Sequence, residues 1–244
     1  MPRDATSTRA RLLDESERLF ATQGVHRTTT REITEAAAQR NVSAVTYHFG
    51  SRSGLLEAIL RRRGDPLDER RGALIDEPLA AQPTRVLVAA LVVPYATCLA
   101  SASGRHYLRI VAQLTDRFAL WGAEGDLSPP HLRHILAELE RRITDRDVAQ
   151  ERVVASIMLL TTSMAERARA IEDDAPVAIT ERRFVSNLAD MIVGIIEASA
   201  GRPLGVGHTP LPKAPRMRSS DRLALTRSGV AADAGLTKLL GPPR

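Results

Sequence analysis

The chain has 244 residues and a formal net charge of +5 at pH 7, with 43% hydrophobic and 26% charged residues. This composition is ordinary for a soluble globular protein of one or two domains. The single cysteine, Cys98, excludes an intramolecular disulfide framework and fits a reducing cytosol, so we expect a cytoplasmic protein.

No signal peptide or membrane span is expected. Residues 1–18 are polar and charged rather than apolar. The most apolar segment, residues 86–102, contains Pro94, Thr97 and Ser101, which favours a buried helix over a membrane span.

Charge is unevenly distributed along the chain. Residues 1–63 carry 11 basic and 7 acidic side chains, residues 64–200 carry 15 and 20, and residues 201–244 carry 8 and 2. A basic amino-terminal unit on an acidic body is typical of a protein in which one small domain contacts nucleic acid. A chance imbalance of the surface would give the same distribution, and this alternative stays open.

Helical spacing of apolar residues recurs throughout, and no strand alternation persists, so the pattern predicts an all-α fold. The first helix is predicted over residues 8–23, with Thr6 or Ser7 as N-cap and Gly24 as its end. Its inward side chains are Leu12, Leu13, Leu19 and Phe20.

Three shorter helical segments follow. Thr29 caps the second, with Glu32 at the capping-box position; Ser43 caps the third and Ser51 caps the fourth. Their predicted inward side chains are Ile33, Ala36, Ala37, Val45, Phe49, Leu55, Leu56, Ile59 and Leu60. Together, residues 1–64 form a predicted helix-turn-helix domain, which ends at a break over residues 61–66.

The rest of the chain is predicted to form a helical bundle over residues 65–200. Helices are expected near 67–75, 83–103, 105–121, 129–142, 146–172 and 177–199. Pro94 is expected to kink one of them, and Ala175-Pro176 to start the last. Residues 201–244 are rich in Pro, Gly, Ser and Arg and are predicted to be a basic, disordered tail, for which a solvated extension without a role is the simplest interpretation.

The last two predicted helices carry wide apolar stripes. The residues concerned are Val153, Val154, Ile157, Leu160, Thr161, Met164, Ile179, Phe184, Leu188, Met191, Ile192, Ile195 and Ile196. Such a pair can complete the core of its own domain or form half of a four-helix dimer interface. The sequence does not separate these two alternatives.

The predicted third helix has side chains suited to the major groove of DNA. Ser43, Ala44 and Thr46 are small enough to approach base edges; the Thr46 hydroxyl can bond a base, and its methyl group or Ala44 can contact a thymine methyl. Tyr47 and His48 are long enough to reach phosphate oxygens.

Three residues on the neighbouring helices can add phosphate contacts. Arg52 lies in the first turn of the fourth helix, where free N–H groups already favour an anion. Thr29 and Arg31 begin the second helix and could contact the opposite side of the groove. Each residue taken alone would be an ordinary solvated side chain; only the combination favours DNA binding.

With these residues in place, the segment from Thr29 to Leu56 resembles the DNA-binding domain of the TetR family of bacterial transcriptional regulators. The lead-in Leu19–Gly24 and the run Tyr47–Arg52 also match the family pattern, so the resemblance covers residues 9–60. It implies a homodimer that binds double-stranded DNA at a palindromic operator. It also implies a helical carboxy-terminal domain that binds a small effector and controls DNA affinity.

Two features depart from the family pattern. The usual Ala-Gly-Val-Ser turn is lengthened by three residues, Gln39–Asn41, and Ala38 replaces the usual Gly. We expect the longer turn to relieve the need for a positive φ at Ala38, with Asn41 taking the left-handed conformation. Arg52 stands where the family commonly has Lys, which keeps the charge.

The sequence gives no support to catalysis. His131 and His134 share a helical face but lack a third ligand, so they are interpreted as surface residues and no metal or other cofactor is expected. The glycines of residues 201–207 follow no strand and form no phosphate loop. An enzyme with an incidental helix-turn-helix is a remote alternative.

An effector pocket is expected between the helices of the second domain. Its candidate lining residues are Tyr95, Cys98, His106, Tyr107, Gln113, Phe118, Trp121, Met158 and Met164. The simpler interpretation is that each fills the core, as aromatic and methionine side chains at helical spacing more often do.

The favoured function is that of a repressor released by an unidentified small molecule. The alternatives are a non-specific architectural DNA-binding protein that uses the basic tail, and a ligand-independent activator.

Overall fold

The structure, a computed structural model, describes residues 2–75, 78–114 and 129–199. Within these ranges the chain forms α-helices and two short 3₁₀ segments without strands, which confirms the all-α fold. In chain order the helices are α1 (Pro2–Gln23), α2 (Thr30–Ala36), α3 (Ala44–Phe49), α4 (Arg52–Ala73), α5 (Thr84–Thr97), α6 (Ala102–Leu114), α7 (Pro130–Arg142), α8 (Ala149–Glu172) and α9 (Glu181–Glu197). The 3₁₀ segments are Leu79–Ala81 and Cys98–Ala100.

Helices α1 to α4 surround a small apolar core. Its central members are fully buried side chains that repeat at helical spacing on α1 and α4 and join single residues of α2 and α3. They include Leu12, Phe20, Ile33, Val45, Leu55, Leu56 and Ile59. Ile110 and Leu114 of α6 belong to the same core. The helix-turn-helix unit is therefore completed by a helix from the second half of the chain.

A partly buried ion pair links α1 to α4. Glu17, only 1% exposed, accepts hydrogen bonds from Arg63 Nε at 2.9 Å and from Arg63 Nη2 at 3.2 Å. Because a forked guanidinium–carboxylate contact restricts both side chains, it helps to set the orientation of the two helices.

Helix α4 continues through the expected break. It is helical from Arg52 to Ala73 and includes Pro66, so the predicted break over residues 61–66 is wrong. Leu67, Asp68 and Arg71 are buried on its second half, and this tertiary packing outweighs the helix-breaking tendency of proline. A domain boundary near residue 64 would thus lie inside one helix.

Several predicted helix ends also differ. Helix α1 already includes Pro2, so neither Thr6 nor Ser7 is its N-cap. Helix α9 begins after Thr180, whose hydroxyl accepts a hydrogen bond from Arg183 N, and not at Pro176. Ala36 is exposed, and Thr34 is buried on α2 in its place.

The helix predicted over residues 83–103 is interrupted. Helix α5 includes Pro94 and ends at Thr97, and Cys98–Ala100 is 3₁₀. The helix predicted over 105–121 already begins at Ala102; its last residues, like the tail of residues 201–244, lie outside the described part of the chain.

A second core joins the end of α4 to helices α5 to α9. It contains Leu67, Leu87, Leu91, Tyr95, Tyr107, Leu132, Ile135, Leu139, Leu160, Met164, Leu188 and Ile192. None of the described helices is long and apolar enough to span a membrane.

Candidate nucleic-acid interface

Helix α2 begins with a complete capping box, as the sequence predicts. The Thr29 hydroxyl accepts a hydrogen bond from Glu32 N at 3.2 Å, and Glu32 Oε2 accepts one from Thr29 N at 2.7 Å. Glu32 Oε2 also accepts a hydrogen bond from the Thr29 hydroxyl at 2.7 Å. The bonds that Thr29 N and the Thr29 hydroxyl donate to this carboxylate lower the pKa of Glu32, because they favour the charged form. Thr29 is exposed, so its side chain stays accessible beside the helix N-terminus.

The end of α2 is a Schellman motif with alanine in the position that usually holds glycine. Gln39 N donates to Thr34 O at 2.8 Å, and Ala38 N donates to Glu35 O at 3.0 Å. Ala38 has φ of 55°, so the expectation that the longer turn relieves this position is wrong. The bonds to the last carbonyls of α2 require the left-handed conformation whatever the length of the turn.

Asn41 stabilises the turn in another way. It is not left-handed, contrary to the expectation. Its Oδ1 accepts hydrogen bonds from Ser43 N at 3.0 Å and from the Ser43 hydroxyl at 2.6 Å. Ser43 is the N-cap residue of α3, but its side chain makes no cap hydrogen bond because Asn41 binds it.

Helix α3 presents one buried and one exposed side. Val45 is 1% exposed and Phe49 is half-buried, and these two residues fix the helix on the core of the helix-turn-helix unit. Thr46 is exposed, and Tyr47 is 82% exposed, the most accessible large hydrophobic residue among the described positions. Ala44, the first residue of α3, is half-buried and lies between the buried and the exposed side of the helix.

His48 is held against Tyr47. It is half-buried, and the two rings are in edge-to-face contact with centroids 4.9 Å apart. Tyr47 and His48 therefore form one small, mostly exposed unit on α3.

Arg31 is exposed at the start of α2 and forms an ion pair with Glu35 at 2.7 Å. The hydrogen bond from this carboxylate raises the pKa of Arg31. Exchanging such a surface pair for a phosphate contact costs little, because exposed ion pairs contribute little to stability.

The sequence predicts that Arg52 is a free cation available to phosphate, but in the structure its guanidinium is bound within the protein. Its Nε donates to Thr28 O at 3.2 Å, its Nη2 donates to Val25 O, and its Cζ lies 5.1 Å from the centre of the Phe20 ring. Burial lowers the pKa of Arg52. The guanidinium thus binds the backbone of the loop between α1 and α2, and its contact with DNA remains a prediction.

The comparison with known families agrees with this arrangement. The model of the family described as bacterial regulatory proteins, tetR family, matches residues 12–59, from the middle of α1 to the first half of α4. The match over residues 12–59 supports a TetR-family regulator. A search of curated proteins found no match. The matched domain makes the chain a DNA-binding transcriptional regulator.

Gln113, one of the candidates for the effector pocket, forms hydrogen bonds to the backbone of the helix-turn-helix unit. Its Oε1 accepts a hydrogen bond from Val25 N at 2.7 Å, and its Nε2 donates to Phe20 O at 3.0 Å and to Arg109 O at 3.1 Å. It therefore attaches α6 to the end of α1. A single long-range contact of this kind leaves no local pattern that the sequence could reveal.

Three other effector candidates do come together. Tyr95 and Tyr107 are each 6% exposed and stack with their ring centroids 6.3 Å apart. Burial raises the pKa values of both hydroxyls. Cys98 begins the 3₁₀ segment directly after α5 and is half-buried, and burial raises the pKa of its thiol to about 11, so the thiol stays protonated at neutral pH.

The remaining candidates are scattered. Met164 is fully buried in the second core, whereas Met158 is 47% exposed. His106 is half-buried on α6, and burial lowers its pKa. Phe118 and Trp121 lie outside the described residues.

The two histidines of α7 have separate environments. His131 N donates to Asp68 Oδ2 at 2.9 Å, and the His131 ring lies close to the backbone of α4 at Gly72. His134 is exposed. Over residues 2–75, 78–114 and 129–199, no three His, Cys, Asp or Glu side chains are grouped so that they could hold a metal ion.

Proposed function

We propose that this regulator is a repressor that binds a two-fold symmetric operator as a homodimer and is released by a small-molecule effector. The observation that carries the DNA contact is the exposed side of α3, which presents Thr46 and Tyr47 while Val45 anchors the helix from behind. A short helix held at one face by a core and free at the other can enter the major groove.

The contacts are divided between reading of bases and binding of phosphates. Ser43, Ala44 and Thr46 approach the base edges, since they are short and lie at the start of the helix. Tyr47 and His48 donate to phosphate oxygens on one side of the groove, and Thr29 and Arg31 contact the other side. Arg52 supports this surface from behind by holding the loop between α1 and α2.

The dimer contact is assigned to the outer face of α8 and α9. Met158 is 47% exposed and Met191 is 42% exposed, and they stand among small exposed residues on the same two helices. These are Ala155 and Thr162 on α8 and Gly194 on α9. Two long helices with such a face can pair with the same two helices of a second copy in a four-helix arrangement.

Release by an effector is assigned to α6. Gln113 binds the backbone of α1 and the loop after it, and Ile110 and Leu114 lie in the core of the helix-turn-helix unit. A ligand that favours a different position of α6 therefore changes the position of this unit as well. In a dimer the two copies of α3 must match successive major-groove turns about 34 Å apart, so a small change in their separation weakens binding.

Footprinting of genomic fragments selected by the purified full chain tests the proposal. We expect protection of two half-sites related by two-fold symmetry, centred about one helical turn apart. Protection of one half-site by a monomer would contradict the dimer.

A reporter gene downstream of the selected site distinguishes repression from activation. We expect repression in the absence of ligand, and ligand-independent activation would contradict the assignment as a repressor.

The non-specific alternative depends on the basic residues 201–244. If the tail supplied the main contact, its deletion would abolish DNA binding and the protein would show little sequence preference. We expect operator binding and preference to survive this deletion, because the exposed residues of α2 and α3 lie in the part that remains.

A further inference from the structure

Arg71 is a buried cation that uses only part of its hydrogen-bonding capacity. It is 1% exposed, and its Nη1 lies 3.4 Å from Asp68 Oδ1, beyond the usual length of an N–H···O bond. Within the described ranges of the chain, its Nε has no hydrogen-bond partner. A buried guanidinium is costly unless it is paired and hydrogen-bonded, so this position favours an additional acceptor.

The carboxylate of Asp68 is largely engaged by another group. Its Oδ2 accepts a hydrogen bond from His131 N at 2.9 Å, and its Oδ1 accepts one from Leu132 N at 2.8 Å. Both N–H groups belong to the first turn of α7, where the helix dipole stabilises a negative charge. The charge of Asp68 is therefore stabilised by α7, and it compensates Arg71 only in part.

Two aromatic rings lie beside the cation. Arg71 Cζ is 5.2 Å from the centre of the Tyr95 ring, and Tyr95 stacks on Tyr107 with an angle of 12° between the ring planes. The positive charge of Arg71 and a hydrogen bond between the Arg71 and Tyr95 side chains offset part of the rise that burial causes in the pKa of Tyr95. A cation with a free donor next to stacked flat rings is complementary to a ligand with one anionic group and an apolar body.

We propose that the effector of this regulator is an apolar monocarboxylate whose carboxylate binds Arg71 and whose body packs against Tyr95 and Tyr107. The proposal rests on the effector-controlled function proposed above. Because Arg71 and both tyrosines are buried, the ligand must open the contact of α4 with α5 and α6 in order to enter. Its binding free energy then acts on α4, the helix that begins next to α3.

A matched panel of acids and amides tests the charge requirement on the full chain. The probes are benzoate, phenylacetate, cinnamate, indole-3-acetate and decanoate, each beside its primary carboxamide. We expect at least one acid, at about 100 times its Kd, to raise the Tm by roughly 5 °C or more and to release the operator. Its amide should do neither. The proposal is overturned if no acid binds or if acids and amides bind equally well.

Variants of Arg71 then test whether this residue binds the carboxylate of the ligand. Arg71→Met should abolish the Tm shift by the active acid, whereas Arg71→Lys should keep part of it because the charge remains. The control is Arg70→Met, since Arg70 is an exposed neighbour on α4 that donates to the Thr97 hydroxyl at 2.7 Å. A shift that survives in folded Arg71→Met contradicts the assignment. If this variant does not fold, the lysine variant and the comparison of acids with amides decide.

Failure of this proposal is distinguishable from failure of the proposed function. Release of the operator only by neutral compounds would overturn the carboxylate assignment and leave effector control intact. If the chain shows no operator binding at all, the proposed function fails. The Tm shift by acids, measured without DNA, would still report on Arg71.

Discussion

Gln113 Oε1 and the backbone N–H of Val25 form a 2.7 Å hydrogen bond that joins α6 to the loop between α1 and α2. Val25 is fully buried, so no solvent replaces this acceptor when it is lost. The same side chain also donates to Phe20 O, so that one residue of the second half of the chain binds two backbone groups of the helix-turn-helix unit.

Replacement Gln113→Ala should destabilise the protein by about 1–3 kcal/mol, because it leaves a buried N–H without an acceptor. Urea unfolding of the full chain measures this loss. The control is Gln150→Ala on the exposed side of α8, which should change the free energy of unfolding by less than about 0.5 kcal/mol. Equal effects of the two variants would show that the contact with Val25 does not stabilise the fold.

Replacement Ala38→Gly should stabilise the protein by about 1 kcal/mol. Ala38 has φ of 55°, where an L-residue with a Cβ is disfavoured by about 1–2 kcal/mol and glycine is not. The matched control is Ala36→Gly at an exposed helical position two residues earlier, which should destabilise by about 1 kcal/mol. Thermal or urea unfolding of both variants measures the two changes in the free energy of unfolding, which should have opposite signs. A loss of stability in Ala38→Gly would show that the backbone of Ala38 is not strained.

Replacement Tyr47→Phe should weaken operator binding by about 2–10-fold at constant salt, as expected for one hydrogen bond to phosphate. The free energy of unfolding should stay the same, since the side chain is 82% exposed. Val42→Ala, in the adjacent turn and 51% exposed, is the control that should bind normally. Fluorescence anisotropy at several salt concentrations provides the measurement. Tyr47→Phe with wild-type affinity would remove the hydroxyl from the proposed contacts.

Replacement Thr46→Val should relax base preference more than it lowers overall affinity, because it removes a hydroxyl that faces a base edge and keeps the shape. Binding to a set of operators with single base changes measures this. A uniform loss across all operators would instead place Thr46 on the backbone of DNA.

Replacement Arg52→Met should lower stability by about 1–3 kcal/mol and leave the salt dependence of operator binding nearly unchanged. The reason is that the guanidinium binds Thr28 O and Val25 O inside the protein. Arg31→Met is the contrasting variant: it removes an exposed cation, and we expect the slope of log Kd against log salt to fall by about one. If Arg52→Met changes this slope as Arg31→Met does, Arg52 contacts phosphate in the complex.

His106 makes the stability of the protein dependent on pH. Burial lowers its pKa below the ordinary value of 6.5, so the unfolded state binds the proton more readily than the folded state does. Stability should therefore fall as pH drops below about 6.5 towards the folded pKa. His106→Asn should reduce this loss, whereas His26→Asn at an exposed loop position should not. Urea unfolding between pH 5 and 7.5 compares them.

The features that the sequence predicts well are those decided by neighbouring residues. Thr29 and Glu32 form a capping box, Ser51 caps α4 through Gly54 N, and Gly24 ends α1 at a positive φ. In each case the hydrogen bonds join residues within a few positions, so spacing and residue type are sufficient to indicate them.

The features that the sequence does not predict depend on distant partners. Pro66 argues locally for a break, but packing of α4 against α5 and α7 keeps the helix continuous. Arg52 has the residue type of a phosphate ligand, and only the fold brings it to the carbonyls of Val25 and Thr28. Gln113 has no neighbour in sequence that signals its contacts.

The continuity of α4 gives it a geometric property that two separate helices would lack. At 1.5 Å per residue, Ser51 and Arg71 stand about 30 Å apart along one axis. A tilt of about 5° around the Arg71 end therefore displaces the Ser51 end by roughly 2.6 Å, which is most of the rise of about 3.4 Å per base pair along the DNA axis. Pro66 lacks the N–H that would bond the carbonyl of Arg62. Because this bond is missing, α4 can bend between Arg62 and Pro66 at a lower cost in hydrogen bonds than elsewhere along its length. A bend at this point would absorb part of a tilt before it reaches the DNA, and substitution of Pro66 would change how much is absorbed.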